Sequence, residues 1–132
     1  MIIFLSWSKE QSKKYAELFK KFFPHWIQTS QPWFSETDIN KGVLSFTDIL
    51  KNIEQADIGV IFITKENMDE PWLNYESALL ASKEKKICPV LIDIDFSDVK
   101  GPLKQYQGTK IEKEDLKKLI FTILTAVKEH GH

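Results

Sequence analysis

The sequence predicts an α/β doubly wound fold, with helices covering both faces of a parallel sheet. Short apolar runs and helix-length amphipathic stretches alternate about five times, the order expected of βαβ units with right-handed crossovers. Two of the runs, "DIGVIFIT" and "ICPVLIDI", are apolar without alternation, as strands buried on both faces are. With 42% hydrophobic and 12% aromatic residues, 132 residues can bury a core of the size one domain needs.

The elements follow in order. "MIIFL" reads as a buried first strand and "SWSKEQS" as a loop, in which Ser8 and Gln11 have capping-box spacing. Tyr15, Leu18, Phe19, Phe22 and Trp26 then recur at helical spacing, with Phe19, Phe22 and Trp26 expected in the core and Pro24 ending the helix early. Residues 27–34, "IQTSQPWF", make a weak strand that Pro32 confines to an edge. "SETDINKG" is a polar loop closed by Gly42, and "VLSFTDILKNIEQA" is a helix with Phe46, Ile49, Leu50 and Ile53 inward. "DIGVIFIT" is the strongest strand. After the loop "KENMDE", Pro71 suits the first turn of the helix "WLNYESALLASKEKK". "ICPVLIDI" is a second central strand, "DFSDVKGPLKQ" is irregular, and "YQGTKI" holds a short final strand. The last helix starts near Glu112 and carries the stripe Leu116, Leu119, Ile120, Ile123, Leu124 and Val127. The chain is expected to be one domain over residues 1–132, standing alone or belonging to a longer sensor or effector.

Charge and composition exclude several functions. Eighteen basic and 19 acidic side chains give a net charge of -1, so the basic surplus of a nucleic-acid or anionic-membrane binder is missing. No apolar run is long enough for a signal peptide or a membrane span, and the expected location is the cytoplasm. The single cysteine, Cys88, reads as a small buried hydrophobe. His25, His130 and His132 show no ligand spacing, so no metal is expected, and no serine–histidine triad has a candidate. The loop after the first strand contains no glycine, which excludes a dinucleotide fingerprint, a P-loop and a flavin phosphate loop. A receiver domain is excluded because Ser6-Trp7-Ser8 and Thr64-Lys65 stand where its acidic residues would be.

In such folds ligands bind beyond the carboxyl ends of the strands. Those ends carry "SWS", "SETDINKG" and the loop leading to Trp72. There the helix "EPWLNYESALLAS" shows an anomaly: Trp72, Tyr75, Glu76, Leu79 and Leu80 share one face, so a carboxylate lies in an apolar stripe beside an indole. Glu76 is either a structural carboxylate paired with Lys41 or Lys83, or a functional one in an aromatic-walled cleft. In the second case desolvation beside Trp72 would raise its pKa, and it could stabilise positive charge on a ribose. Periodicity does not choose between them.

The segments "IIFLSWSKEQS", "PWFSETDINKG", "DIGVIFITKENMDEPWLNYESALLASK" and "ICPVLIDIDFSDVKGPLKQYQ" together resemble a bacterial Toll/interleukin-1 receptor (TIR) domain of the NAD+-cleaving type, over residues 1 to about 128. The most specific part is W-x-x-x-E, here Trp72 to Glu76, placed after "DIGVIFIT". The resemblance implies a flavodoxin-like three-layer sandwich with a five-stranded parallel sheet and the second strand at one edge. It also implies an NAD+ glycohydrolase or cyclase releasing nicotinamide plus ADP-ribose or a cyclic isomer, commonly in antiphage defence. NAD+ would be the substrate and no cofactor would be needed. Other TIR domains would be partners through self-association as a dimer or filament, and the alternative is a non-catalytic adaptor acting by that assembly alone.

Glu76 matches the family's catalytic glutamate and Trp72 its tryptophan, with Tyr75 beside them. Ser6, Trp7 and Ser8 match the loop lining the nicotinamide side. Phe34, with Trp33 as alternative, matches the aromatic packing on nicotinamide, and Asp38 to Gly42, Lys41 included, match the loop controlling access and assembly. The loop after the first strand lacks the arginine of some active members; Trp7 and Lys9 are the candidates to substitute for it. Since nicotinamide is a cationic leaving group, the chemistry needs a carboxylate near the ribose, flat apolar walls and exclusion of water more than it needs an acid.

Overall fold

The computed structural model describes residues 2–26, 31–34, 46–99, 101–106 and 108–130; the side chains of 25, 26, 31–34, 46–49, 72, 102, 113 and 126–130 lie outside that description. The strands are β1 (Ile2–Ser6), β2 (Gln31–Phe34), β3 (Ile58–Ile63), β4 (Lys86–Leu91) and β5 (Thr109–Lys110). The helices are α1 (Glu10–Trp26), α2 (Phe46–Gln55), α3 (Pro71–Ser82) and α4 (Lys113–His130). The five strands form one parallel sheet in the order β2-β1-β3-β4-β5, so β2 lies at an edge and β1 and β3 at the centre.

Side chains alternate across this sheet and build two cores. Ile3 and Leu5 of β1 join Val60, Phe62 and Val90 beneath Ala16, Phe19 and Phe23 of α1 and Leu119 and Ile123 of α4. Phe4, Ile61, Ile63 and Leu91 face the other way, against Ile53 of α2 and Leu73 and Leu80 of α3. Each large apolar side chain so buried contributes about 1.5–3 kcal/mol. All six residues of β3 are buried, which explains their unbroken apolar run. Gly59 lets α3 approach: a Cβ there would lie 2.4 Å from Leu80 Cδ1.

The sheet pattern explains a proline inside β4. The amide of Ile92 donates to Ile63 of β3, so by alternation the nitrogen of Pro89 faces the outer side. There β4 pairs with β5 only at Val90 and Leu91, so the missing donor interrupts no ladder bond. Among the described residues "ICPVLIDI" is therefore itself the edge of the sheet along its first half.

Several expectations need correction. Leu18 and Phe22 are exposed, at 49% and 37%, while Phe23 is fully buried. The inward stripe of α1 is Ser12, Ala16, Phe19 and Phe23, displaced by one residue from the pattern expected. Helix α1 also continues through Pro24 to Trp26; in the last turn a proline costs only one intrahelical bond. Leu124 of α4 is exposed at 39%. On α3 the buried line is Leu73, Glu76, Ser77 and Leu80, with Tyr75 and Leu79 half-buried. The irregular stretch after β4 contains 3-10 turns at Phe96–Asp98 and Gly101–Gln105, and places Val99 and Leu103 in the core. Cys88 is buried as expected, which pushes its thiol up to about 11.

Candidate active site

Glu76 is 0% exposed, and beneath it on the sheet lies Ser6, the last residue of β1. The Ser6 hydroxyl donates to Glu76 Oε1 at 2.6 Å, a short O–H···O bond. Two local arrangements bring them together. Phe4 belongs to the core under α2 and α3, so Ser6, two residues on, faces that layer too. Pro71 opens α3 behind the cap residue Glu70, and Leu73 and Leu80 hold the helix down on either side of Glu76. The Ser77 hydroxyl donates to the Leu73 carbonyl at 2.8 Å, so the buried polar group next to Glu76 is satisfied within the helix.

The lysine pairing considered for Glu76 is not made by Lys83. Its ammonium lies 3.3 Å from Glu54, at the surface. Lys41 and the rest of the "SETDINKG" loop, including Asp38 and Gly42, lie outside the described residues.

The other site candidates divide. Tyr75 is half-buried, one residue before Glu76. Trp7 is only 6% exposed and packs into the opposite core, under α1 and α4, with the Lys13 ammonium 5.8 Å from its ring centroid. The structure thus brings Ser6 together with Glu76 and sends Trp7 to the other face of the sheet. Ser8 is half-buried in the loop beyond. On β2, Trp33 pairs in register with Phe4 and Phe34 with Leu5, so the strand ends beside the end of β1; these two side chains and that of Trp72 lie outside the description.

The loops around this rim are stapled to one another. Asn67 is fully buried after β3: its Oδ1 accepts from the Thr64 amide at 2.7 Å, and its Nδ2 donates to the Phe62 carbonyl at 3.0 Å and to the Ser8 carbonyl at 2.9 Å. Ser12, rather than Gln11, is the residue of the first turn that bonds back to Ser8. Its hydroxyl accepts from the Ser8 amide at 3.0 Å and donates to the Ser8 carbonyl at 2.5 Å. Gln11 instead reaches across loops, with its amide donating to Glu66 and its side chain to Asp93. Lys9 is left-handed, with φ at +75°, and its ammonium sits 3.2 Å from Glu70. Further along the rim, Lys110 donates to Asp95 at 2.8 Å and holds that carboxyl below the usual range. Sequence reasoning missed Asn67 and Ser12. The signal available was Thr64-x-x-Asn67 directly after a buried strand, a pattern suited to a side-chain-closed turn.

A groove of about 730 Å³ runs along the outer side of β4, between Lys86–Cys88 and the α4 residues Lys118, Phe121 and Thr122. Neither Ser6 nor Glu76 lines it. Among the described residues no three His, Cys, Asp or Glu side chains group as a metal site, and no helix is long and apolar enough to cross a membrane.

The family model for the TIR domain matches residues 3–120. The chain belongs to the TIR domain family. Solved structures agree on the fold: the TIR domains in the structure of the activated Roq1 resistosome directly recognizing the pathogen effector XopQ align with a TM-score of 0.66. The identity is 17%, covering 96% of this chain and 98% of that one. No curated protein matches the chain in sequence. As a TIR domain, the chain has the α/β parallel-sheet architecture expected of it, with the Trp72–Glu76 segment on the helix after β3.

Proposed function

We propose that this TIR domain cleaves the nicotinamide–ribose bond of NAD+, giving nicotinamide plus ADP-ribose or a cyclic isomer, in immune signalling of the bacterial antiphage kind. The observation that carries the reading is the buried Glu76 carboxylate, oriented by Ser6 at the carboxyl end of β1. In the reaction the N-glycosidic bond breaks and its electron pair leaves with nicotinamide, which departs neutral. The positive charge left on the ribose is what a carboxylate in a dry site stabilises best. Water then attacks C1′ and loses a proton, or a nitrogen of the adenine ring attacks and closes the cycle. Ser6 holds one oxygen of that carboxylate, Oε1. Lys9 stands at the rim as the cation nearest in sequence to Ser6 and Ser8 for a pyrophosphate.

The test is NAD+ consumption by the purified chain at high concentration, beside Glu76→Ala and Glu76→Gln, with products resolved by mass and retention. Nicotinamide release that both substitutions abolish supports the reading. Equal turnover by all three proteins removes Glu76 from the chemistry.

A second reading, a non-catalytic adaptor working by TIR–TIR assembly, is favoured by a specific observation. Leu18 and Phe22 of α1 and Phe121 and Leu124 of α4 are exposed on helices covering the same face of the sheet, with Phe121 at 71%. The resistosome of the structural relative is itself an assembly containing TIR domains. The two readings are compatible if self-association completes the site. Turnover that rises more steeply than in proportion to protein concentration would join them, whereas concentration-dependent association without turnover would leave the adaptor alone.

A further inference from the structure

The turn after β1 is held against its own preference. Lys9 adopts φ +75°, a left-handed conformation that costs a residue with a Cβ about 1–2 kcal/mol, so its surroundings must impose it. Within the chain segment, the Lys9 carbonyl accepts from the Lys13 amide at 3.1 Å. Only one described side chain from another part of the fold bonds the Ser8 carbonyl, and that is Asn67 at 2.9 Å. Asn67 uses both of its side-chain donors. Both hydrogens of its amide go to carbonyls, Phe62 and Ser8, its oxygen takes the Thr64 amide, and its backbone amide donates to Thr64 Oγ1 at 3.2 Å. A carboxylate of the same shape could not replace it, because two carbonyl oxygens would face a negative charge.

We infer that Asn67 is a positioning residue for the rim: by clamping the Ser8 carbonyl it fixes the strained Ser8–Lys9 turn beside Ser6 and Glu76, and thereby sets the affinity of the site for NAD+. The substrate half of this inference rests on the function proposed above. The Asn67 side chain bonds Thr64, Phe62 and Ser8 rather than the Ser6–Glu76 pair, so it acts on binding more than on the chemical step.

The experiment compares the full chain with Asn67→Ala, Asn67→Asp and Ser12→Ala, using NAD+ as the probe. It reads KM and kcat separately, and amide hydrogen exchange of Ser8 by NMR in the Asn67 variants. Loss of one clamping bond corresponds to about a tenfold effect. Asn67→Ala is therefore expected to raise KM about tenfold and to speed Ser8 exchange about tenfold, with kcat within about threefold of wild type. Asn67→Asp does not rescue, and Ser12→Ala, which loosens the same carbonyl from within α1, raises KM in the same direction. A fall in kcat with KM unchanged, or Ser8 exchange that Asn67→Ala leaves unaltered, overturns the inference. Should both Asn67 variants fail to fold, an unchanged KM in Ser12→Ala overturns it alone. Should the wild type neither bind nor cleave NAD+, the functional reading falls instead; the clamp is then judged on Ser8 exchange, acceleration supporting it and constancy overturning it.

Discussion

Removing the Ser6 hydroxyl isolates the contact on which the candidate site depends. Ser6→Ala deletes one oxygen from a position with no exposure and leaves the strand's backbone pairing intact. The cavity term is therefore small, and the cost is the bond itself. A buried hydrogen bond to a carboxyl group is worth about 1–3 kcal/mol. For a chain of this size 1 kcal/mol corresponds to about 3–5 °C in Tm, so a drop of about 3–15 °C is expected. The decisive measurement is a double-mutant cycle by urea denaturation with Glu76→Ala. Once Glu76 is absent, the Ser6 hydroxyl is itself the buried polar group without its acceptor. Ser6→Ala in that background should then cost less than about 0.5 kcal/mol or even stabilise. If Ser6→Ala costs the same in both backgrounds, the hydroxyl and the carboxylate are not coupled and the site as drawn fails. On the functional side, a carboxylate released from its orienting donor should lose about tenfold or more in kcat for NAD+.

Three further expectations test the frame around this contact. Gly59→Ala drives a Cβ into Leu80, at 2.4 Å from Cδ1, and should destabilise by about 1–3 kcal/mol; the double variant with Leu80→Ala should cost less than the sum of the two. Lys9→Gly should be about 1 kcal/mol more stable than Lys9→Ala, since both lose the Glu70 ion pair and only glycine relieves φ +75°. The Cys88 thiol, at about 11 in the folded chain against 9.0 ordinarily, is held protonated by burial. Its folded pKa is raised, so the stability it contributes is complete below pH 9 and is lost as pH rises from 9 to 11, in total about 2–3 kcal/mol. Cys88→Ala should flatten that part of the stability profile, and the native thiol should resist alkylation at pH 8.

How much of this was legible in the sequence depended on the range of the interaction involved. Strand and helix identities were readable because the period of apolar residues is a local property; β3 followed from it directly, and the edge character of β2 from Pro32. The aromatic-rich α1 was misread because Phe22 and Phe23 are both apolar and lie only 100° apart on the helix, so residue type cannot select the inward one. The sheet alone makes that choice. Glu76 was visible because a carboxylate contradicts the stripe around it. Its partner was not, because Ser6 lies 70 residues away and a serine at a strand end is unremarkable by type.

Lys83, one of the two lysines considered as partners of Glu76, pairs elsewhere for a related reason. Lys83 has a long side chain on the exposed end of α3 and meets Glu54 at the surface, where an ammonium keeps its hydration. A serine hydroxyl reaches the buried carboxylate without bringing a second charge out of water, which avoids the desolvation cost of a buried ion pair. Trp7 shows the same logic in reverse. Aromatic character and a loop position suggested a ligand wall, but one step of strand alternation after Ser6 turns the indole into the opposite core. Ser6 thus holds the carboxylate with an ordinary hydroxyl, while Asn67 and Gly59 fix the neighbouring turn and the approach of α3 with an amide and a missing side chain, each defined only by what another strand or helix brings to it.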